Sequence, residues 1–260
     1  LLTILPFPTA LAAPGPDDNR ATPLALPRLS GPITLDGFSD EPAWQAIEPL
    51  PMTMIFPTFK GTMTERTEIR VAYDDDYLYV AGRMYDSDPA AIQAVDLVRD
   101  AANAQNDWLA IILDSFNDNE NALTFWTNPV GMRLDFSVSN DFQSTKYFNK
   151  SWSTFWDAAV QRNDQGWFAE LRIPFSSLRF QDDNGAVIMG LTTYRDIARK
   201  GERHVFPAIP PNWGGTSFGK PSQAQRVRFT GVYSRNPLYV TPYALGGLDQ
   251  AAALNPAGTD

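Results

Sequence analysis

The stretch Asn140 to Trp156 mixes aromatic side chains, among them Phe142, Tyr147, Phe148, Trp152, Phe155 and Trp156, with Asn, Gln, Ser, Thr and Lys. Recognition of a sugar ring calls for this mixture. A flat apolar face takes the C–H side of a pyranose, and planar polar groups take its hydroxyls. Connecting segments are ordinarily polar and solvated, so an aromatic one is a candidate contact surface. Trp152 is read as the stacking platform. Upstream, Trp126 shares a strand face with Thr124 and Asn128, and Asn128 with Arg133 would orient the hydroxyls. The competing reading tucks these rings down as a plug over the edge of the fold, because burial is what usually explains an aromatic side chain. For Trp126 an inter-sheet core role stands equally open, and Trp156 is read as core.

Other chemistries have weaker support. Asp114, Asp118 and Glu120, with Asn119, form the oxygen-rich turn D-S-F-N-D-N-E, which could hold calcium, a cation that takes several carboxylate and carbonyl oxygens. Asp and Asn are also what tight turns use, and the spacing is not that of an EF-hand. Glycoside hydrolysis needs two facing carboxylates, one with a raised pKa; Glu170 and Asp135 are the candidates. Glu170 alternates with Arg172 and could pair with Arg195 or Arg133, and a carboxylate among arginines stays ionised and makes a poor general acid. His204 with Met84, Met132 or Met189 would have to converge to hold haem, and a lone His beside Glu202 and Arg203 is more often an ordinary surface residue. With no Cys in the chain, thiol nucleophiles, disulfides and cysteine-ligated metals are excluded.

The 260 residues carry a net charge of −9, which opposes binding a phosphate backbone by counterion release, so no nucleic-acid partner is expected. The chain begins without Met, and its apolar opening Leu1 to Ala13 contains Ala10-Leu11-Ala12. That pattern reads as a truncated secretory signal. Pro14 to Pro27, with four Pro and a polar DDNR, reads as a linker. At the other end Leu238 to Gly247 reads as a strand, and the natural protein is expected to continue past Asp260.

These residues must be positioned by strands. Between the ends, short stretches alternate with period two and are punctuated by Gly, Asn, Asp and Pro. Ile69, Val71 and Tyr73 oppose Glu68 and Arg70; Tyr77 to Tyr85 returns after the turn Asp74 to Asp76. Trp108 to Leu113 is nearly continuous in apolar character, which places it centrally, covered on both faces. Leu123 to Thr127, Leu134 to Val138, Trp167 to Ile173, Val187 to Tyr194 and Arg226 to Thr230 bring the total to about nine strands. Only Pro89 to Val98 reads as a helix, with Asp88 as cap and Pro89 at the first position. The expected fold is all-β: a two-sheet antiparallel β-sandwich, jelly-roll or immunoglobulin-like, with one short helix. The expected organisation is a signal and linker over 1–27, the sandwich over 28–235, and the start of a following domain over 236–260.

The stretch Ile33 to Trp44, ITLDGFSDEPAW, resembles the opening I-x-L-D-G-x-x-D-E-x-x-W of carbohydrate-binding module family 9. In order follow TEIRVAYDDDYLYV (67–80), DWLAIILDSFND (107–118), NPVGMRLD (128–135), Trp156-Asp-Ala and GWFAELRIPFSSLRF (166–180). The arrangement also resembles the domain that precedes an outer-membrane β-barrel of unknown function in bacterial surface proteins, with Tyr239 to Gly247 as the first piece of the barrel. The resemblance implies an exported jelly-roll sandwich, in the periplasm, outer membrane or cell surface, whose relatives bind poly- or oligosaccharide, often with structural calcium. Hydrolysis in such relatives belongs to a separate domain, and membrane contact would come through the barrel. A structural or gating domain of a barrel protein without sugar binding is the alternative, and a glycoside hydrolase a second one.

Overall fold

A computed structural model describes residues 22–234 together with Gly246 and Gly247. The expected signal over 1–13 lies outside the described residues, as does the proposed barrel strand apart from those two glycines. In chain order the elements are β1 (Leu24–Ala25), α1 (Pro42–Gln45), β2 (Thr53–Phe56), β3 (Thr67–Tyr73), β4 (Tyr77–Tyr85), β5 (Trp108–Asp114), β6 (Ala122–Thr127), β7 (Arg133–Val138), β8 (Phe148–Asn149), β9 (Asp157–Asn163), β10 (Gly166–Pro174), β11 (Ala186–Ile197), β12 (Glu202–Phe206) and β13 (Gln225–Thr230).

Two sheets form. The larger has nine strands in the order β1-β13-β11-β5-β6-β7-β8, extended by β12 on β11 and β2 on β12; the smaller runs β3-β4-β10-β9. Pairing is antiparallel except for β1 against β13. The two-sheet antiparallel sandwich expected from the alternation is therefore present.

Alternation fixes which residues meet. From β5, Leu109, Ile111 and Leu113 enter the inter-sheet core with Trp167, Ala169, Leu171 and Ile173 of β10. The intervening Trp108, Ala110 and Ile112 join a second cluster on the outer face of the larger sheet, with Trp126, Phe136 and Tyr194. A strand buried on both faces reads as one apolar run, and that is the form β5 takes. The β3–β4 turn closes because Asp74 Oδ1 accepts the amides of Asp76 and Tyr77, at 2.9 and 2.8 Å; a side chain capping its own turn is the usual work of Asp there.

Two expectations are corrected. Pro89 to Val98 is not a helix: only Pro89–Ala91 makes a single 3₁₀ turn, and the Asp88 side chain accepts no capping hydrogen bond. Asn106 Oδ1 takes the amides of Val95 and Asp96 at 2.7 and 3.3 Å, so donors that a helix would use are held in a loop instead. The linker expected over Pro14 to Pro27 ends in structure, since Leu24–Ala25 pairs with β13 and Leu26 is buried.

Candidate binding cleft

The larger sheet extends past the smaller one at β6, β7 and β8, and there its inner face meets loops rather than strands. A cleft of about 900 Å³ opens at this overhang, within the roughly 300–1,000 Å³ typical of ligand sites. Its floor is Leu123 and Ser137; its walls are the turn around Phe116, the segment Trp152 to Phe155, and the loop Ser176 to Phe180. No strand of the smaller sheet lines it.

The aromatic loop is held open over this floor by three anchors. Asp135, wholly buried on β7, accepts the amide of Thr154 at 2.8 Å and the Arg99 guanidinium. Ser177 Oγ donates to the carbonyl of Phe155 at 2.8 Å. Trp152 packs edge-on against Phe125, ring centroids 6.0 Å apart, and stays half-buried. Phe155 and Phe116 stand 67% and 52% exposed, two apolar rings bordering one cleft. Between the aromatic faces sit small polar groups, including Ser115, Ser137, Ser153, Asn121 and Asn149.

The expected site residues are only partly brought together. Trp152 lines the cleft. Trp126 does not: it points to the opposite face of the sheet, 8% exposed, packed between Trp108, Phe136, Tyr194 and Phe218 at 5.4 to 6.0 Å. Asn128 is wholly buried, and its amide is spent on the Asp96 carbonyl at 2.9 Å and on the N–H groups of Val130 and Met132. It shapes the β6–β7 turn. Arg133 faces a neighbouring cleft of about 610 Å³ on the far side of Ser153 to Phe155, where it donates to the Trp156 carbonyl and lies over that ring. Period-two alternation put Trp126 and Asn128 on one face, but alternation alone does not say which face a loop leaves open. Phe116 carried a sequence signal, an aromatic ring within a polar turn; the serines and Arg179 carried none.

The expected calcium ligands do not form a cage. Asp114 accepts the amides of Asp118 and Asn119, at 3.1 and 2.8 Å, and burial pushes its pKa up to about 6. Asp118 accepts from Glu120, Asn121 and the Asn121 side chain, while Glu120 is exposed. These oxygens serve the turn itself, and among the described residues no three acidic or His side chains converge. His204 is fully buried rather than on the surface, bonded to Thr67 at 2.7 Å and Glu202 at 2.6 Å; it has no bond left for a haem.

The chain matches the family described as "Carbohydrate family 9 binding domain-like" over residues 35–230. It belongs to that family. No curated protein sequence matches it. Among solved structures, a family 9 module from Caldicellulosiruptor kristjanssonii in complex with cellotriose is 18% identical, with a TM-score of 0.55 over 86% of this chain and 100% of that one. The same organism's module with glucose gives 17% and 0.53, over 85% and 100%. A protein from Bacteroides uniformis provisionally described as carbohydrate-binding gives 12% and 0.62, over 80% and 99%. These likenesses establish the sandwich.

Within this family 9 domain, Glu170 joins the first and last motif stretches, 33–44 and 166–180. Its carboxylate accepts the amides of Asp36 and Gly37 at 3.1 and 2.9 Å and the Trp44 indole N–H at 2.9 Å, so it pins the ITLDGFSDEPAW segment onto the outer face of the smaller sheet, where Trp44 packs with Tyr79 and Ala81. Glu170 does not pair with Arg195 or Arg133. Burial raises its pKa, while the donors pull it down. Asp135 sits on the other sheet, and no Asp or Glu lines the cleft.

Proposed function

We propose that the chain is a non-catalytic carbohydrate-binding domain that takes an oligosaccharide in the cleft at the sheet overhang. The observation that carries this reading is the lining: the aromatic faces of Trp152, Phe116 and Phe155 around a rim of hydroxyls and amides, with no pair of carboxylates to hydrolyse a glycosidic bond. The glucose and cellotriose held by its structural relatives suggest glucose-based oligosaccharides as first probes. Isothermal titration with cellotriose should give saturable binding, weakened at least about tenfold, or ~1.4 kcal/mol, by Trp152→Ala. Absence of saturable binding across a glycan array would end this reading.

The finer part of the proposal is place: an exported domain tied to the bacterial outer membrane, serving glycan binding or uptake there. It rests on the apolar opening with its Ala-Leu-Ala pattern. Among the described residues no helix is long and apolar enough to cross a membrane, which leaves strand-crossing barrels aside. Fractionation of cells expressing the gene should place the product in the envelope; a cytosolic product would sink the proposal. A second reading, a structural or protein-interaction domain of a barrel protein, draws on the exposed Val95, Leu97 and Val98, at 52%, 78% and 74%. In that case Trp152→Ala leaves no glycan signal to lose.

A further inference from the structure

Arg179 is the single charged residue among those lining the cleft, in a chain whose net charge is −9. No ion pair or hydrogen bond ties its guanidinium to another described residue, and it is exposed. Several other arginines are ion-paired: Arg99 with Asp135, Arg172 with Asp157, Arg199 with Asp86, Arg203 with Asp196. Its backbone is also in the left-handed region, φ 45°. An L-residue other than Gly, Asn or Asp rarely sits there, and such a conformation persists only where its surroundings impose it. Leu178 and Phe180 on either side are both buried in the inter-sheet core, so the chain is fixed at each flank and the position between them is turned toward the cleft.

We infer that the cleft is selective for an acidic saccharide, one bearing a uronic carboxylate that the Arg179 fork engages. The inference rests on the carbohydrate-binding reading above and narrows it to a substrate class. A planar guanidinium meets a carboxylate through two parallel N–H···O bonds, a match that a neutral hydroxyl cannot give. No Asp or Glu is among the lining residues to compete for the Arg179 fork within the cleft. The carboxylates bonded to lining residues already accept hydrogen bonds: Asp118 from the Asn121 side chain, Asp135 from the Thr154 amide at 2.8 Å, and Asp182 from the Ser234 amide at 2.8 Å. One cation in an acidic protein suits one carboxylate per bound unit; a densely sulfated chain would bring further charges against Asp118, Asp182 and the net negative field.

Titration calorimetry tests this with two matched pairs, glucose against glucuronate and galactose against galacturonate, and with cellotriose and heparin alongside, at low and high NaCl. The acidic member of each pair should bind at least tenfold more tightly at low salt, with the ratio shrinking as salt screens the pair. Arg179→Asn, a residue that accepts the left-handed backbone, should bring that ratio to within twofold of one, and Arg179→Lys should leave it in between, melting curves confirming that both variants fold. Equal affinity for both members in the unaltered protein, a preference surviving in Arg179→Asn, or heparin binding most tightly would overturn the inference while sugar binding stood. Failure of every saccharide to bind would overturn the carbohydrate reading itself.

Discussion

A single buried carboxylate, Glu170, does the work that a two-residue charge pair was expected to do. Three N–H donors converge on it from a segment more than a hundred residues away in sequence. Removing it leaves those donors unsatisfied in a buried place, at about 1–3 kcal/mol for such a group. Glu170→Ala should therefore lower stability by about 3 kcal/mol, seen as a drop in the urea midpoint with an unchanged slope, whereas Glu170→Gln, which keeps one acceptor, should cost less. An unchanged midpoint in the alanine variant would show the ITLDGFSDEPAW segment to be held by packing alone. Its partners were not legible because both arginines offered for it lie elsewhere, Arg195 pointing across to the carbonyls of Arg66 and Tyr85. Trp152 was legible as an indole in a polar loop. Trp126 was equally visible as a residue, but its surroundings were not, since Phe218, which covers it, comes from a loop ninety or so positions on.

Elements with their own pattern were legible: β3 to β7, β10, β11 and β13 all alternate or run apolar as buried strands do. The strands missed were β1, β2, β8, β9 and β12. Of these β9, Asp157–Asn163, is an edge strand with half-exposed and exposed side chains, and its identity comes from pairing with β10 rather than from its composition. The same holds for the loop that walls the cleft, whose conformation is set by anchors on other elements. Asp135→Ala should free the Thr154 amide and leave Arg99 only its longer carboxylate contact, with Asp100 at 3.5 Å, so amide exchange across residues 152–156 should quicken and cellotriose affinity should fall about tenfold. Unchanged exchange there would mean that Ser177 and the Trp152 packing hold the loop without it.

Across the whole molecule, buried charge gives stability a dependence on pH. Burial pushes Asp107 from 3.8 up to about 6, and Arg195, wholly buried beside it, down to about 10. A carboxyl with a raised native pKa favours folding in its neutral form. Its contribution is fully present below pH 3.8 and is lost as the pH climbs through 6, a change of up to about 3 kcal/mol at 1.36 per unit. Comparing the protein with Asp107→Asn isolates it: the stability difference between the two should shrink or reverse from pH 4 to 7, and a constant difference would refute the assignment. Replacing Arg195 with Met strips the struts from β11 to β3 and β4 and should cost about 3 kcal/mol in thermal unfolding. The unequal widths of the two layers have a last consequence. The margin that accommodates a guest is built from three chain bends, near residues 116, 153 and 179, to which the opposing layer contributes no strand. Bends of this kind can be exchanged while every interior contact is preserved, so relatives with the same interior can differ in the molecule they hold.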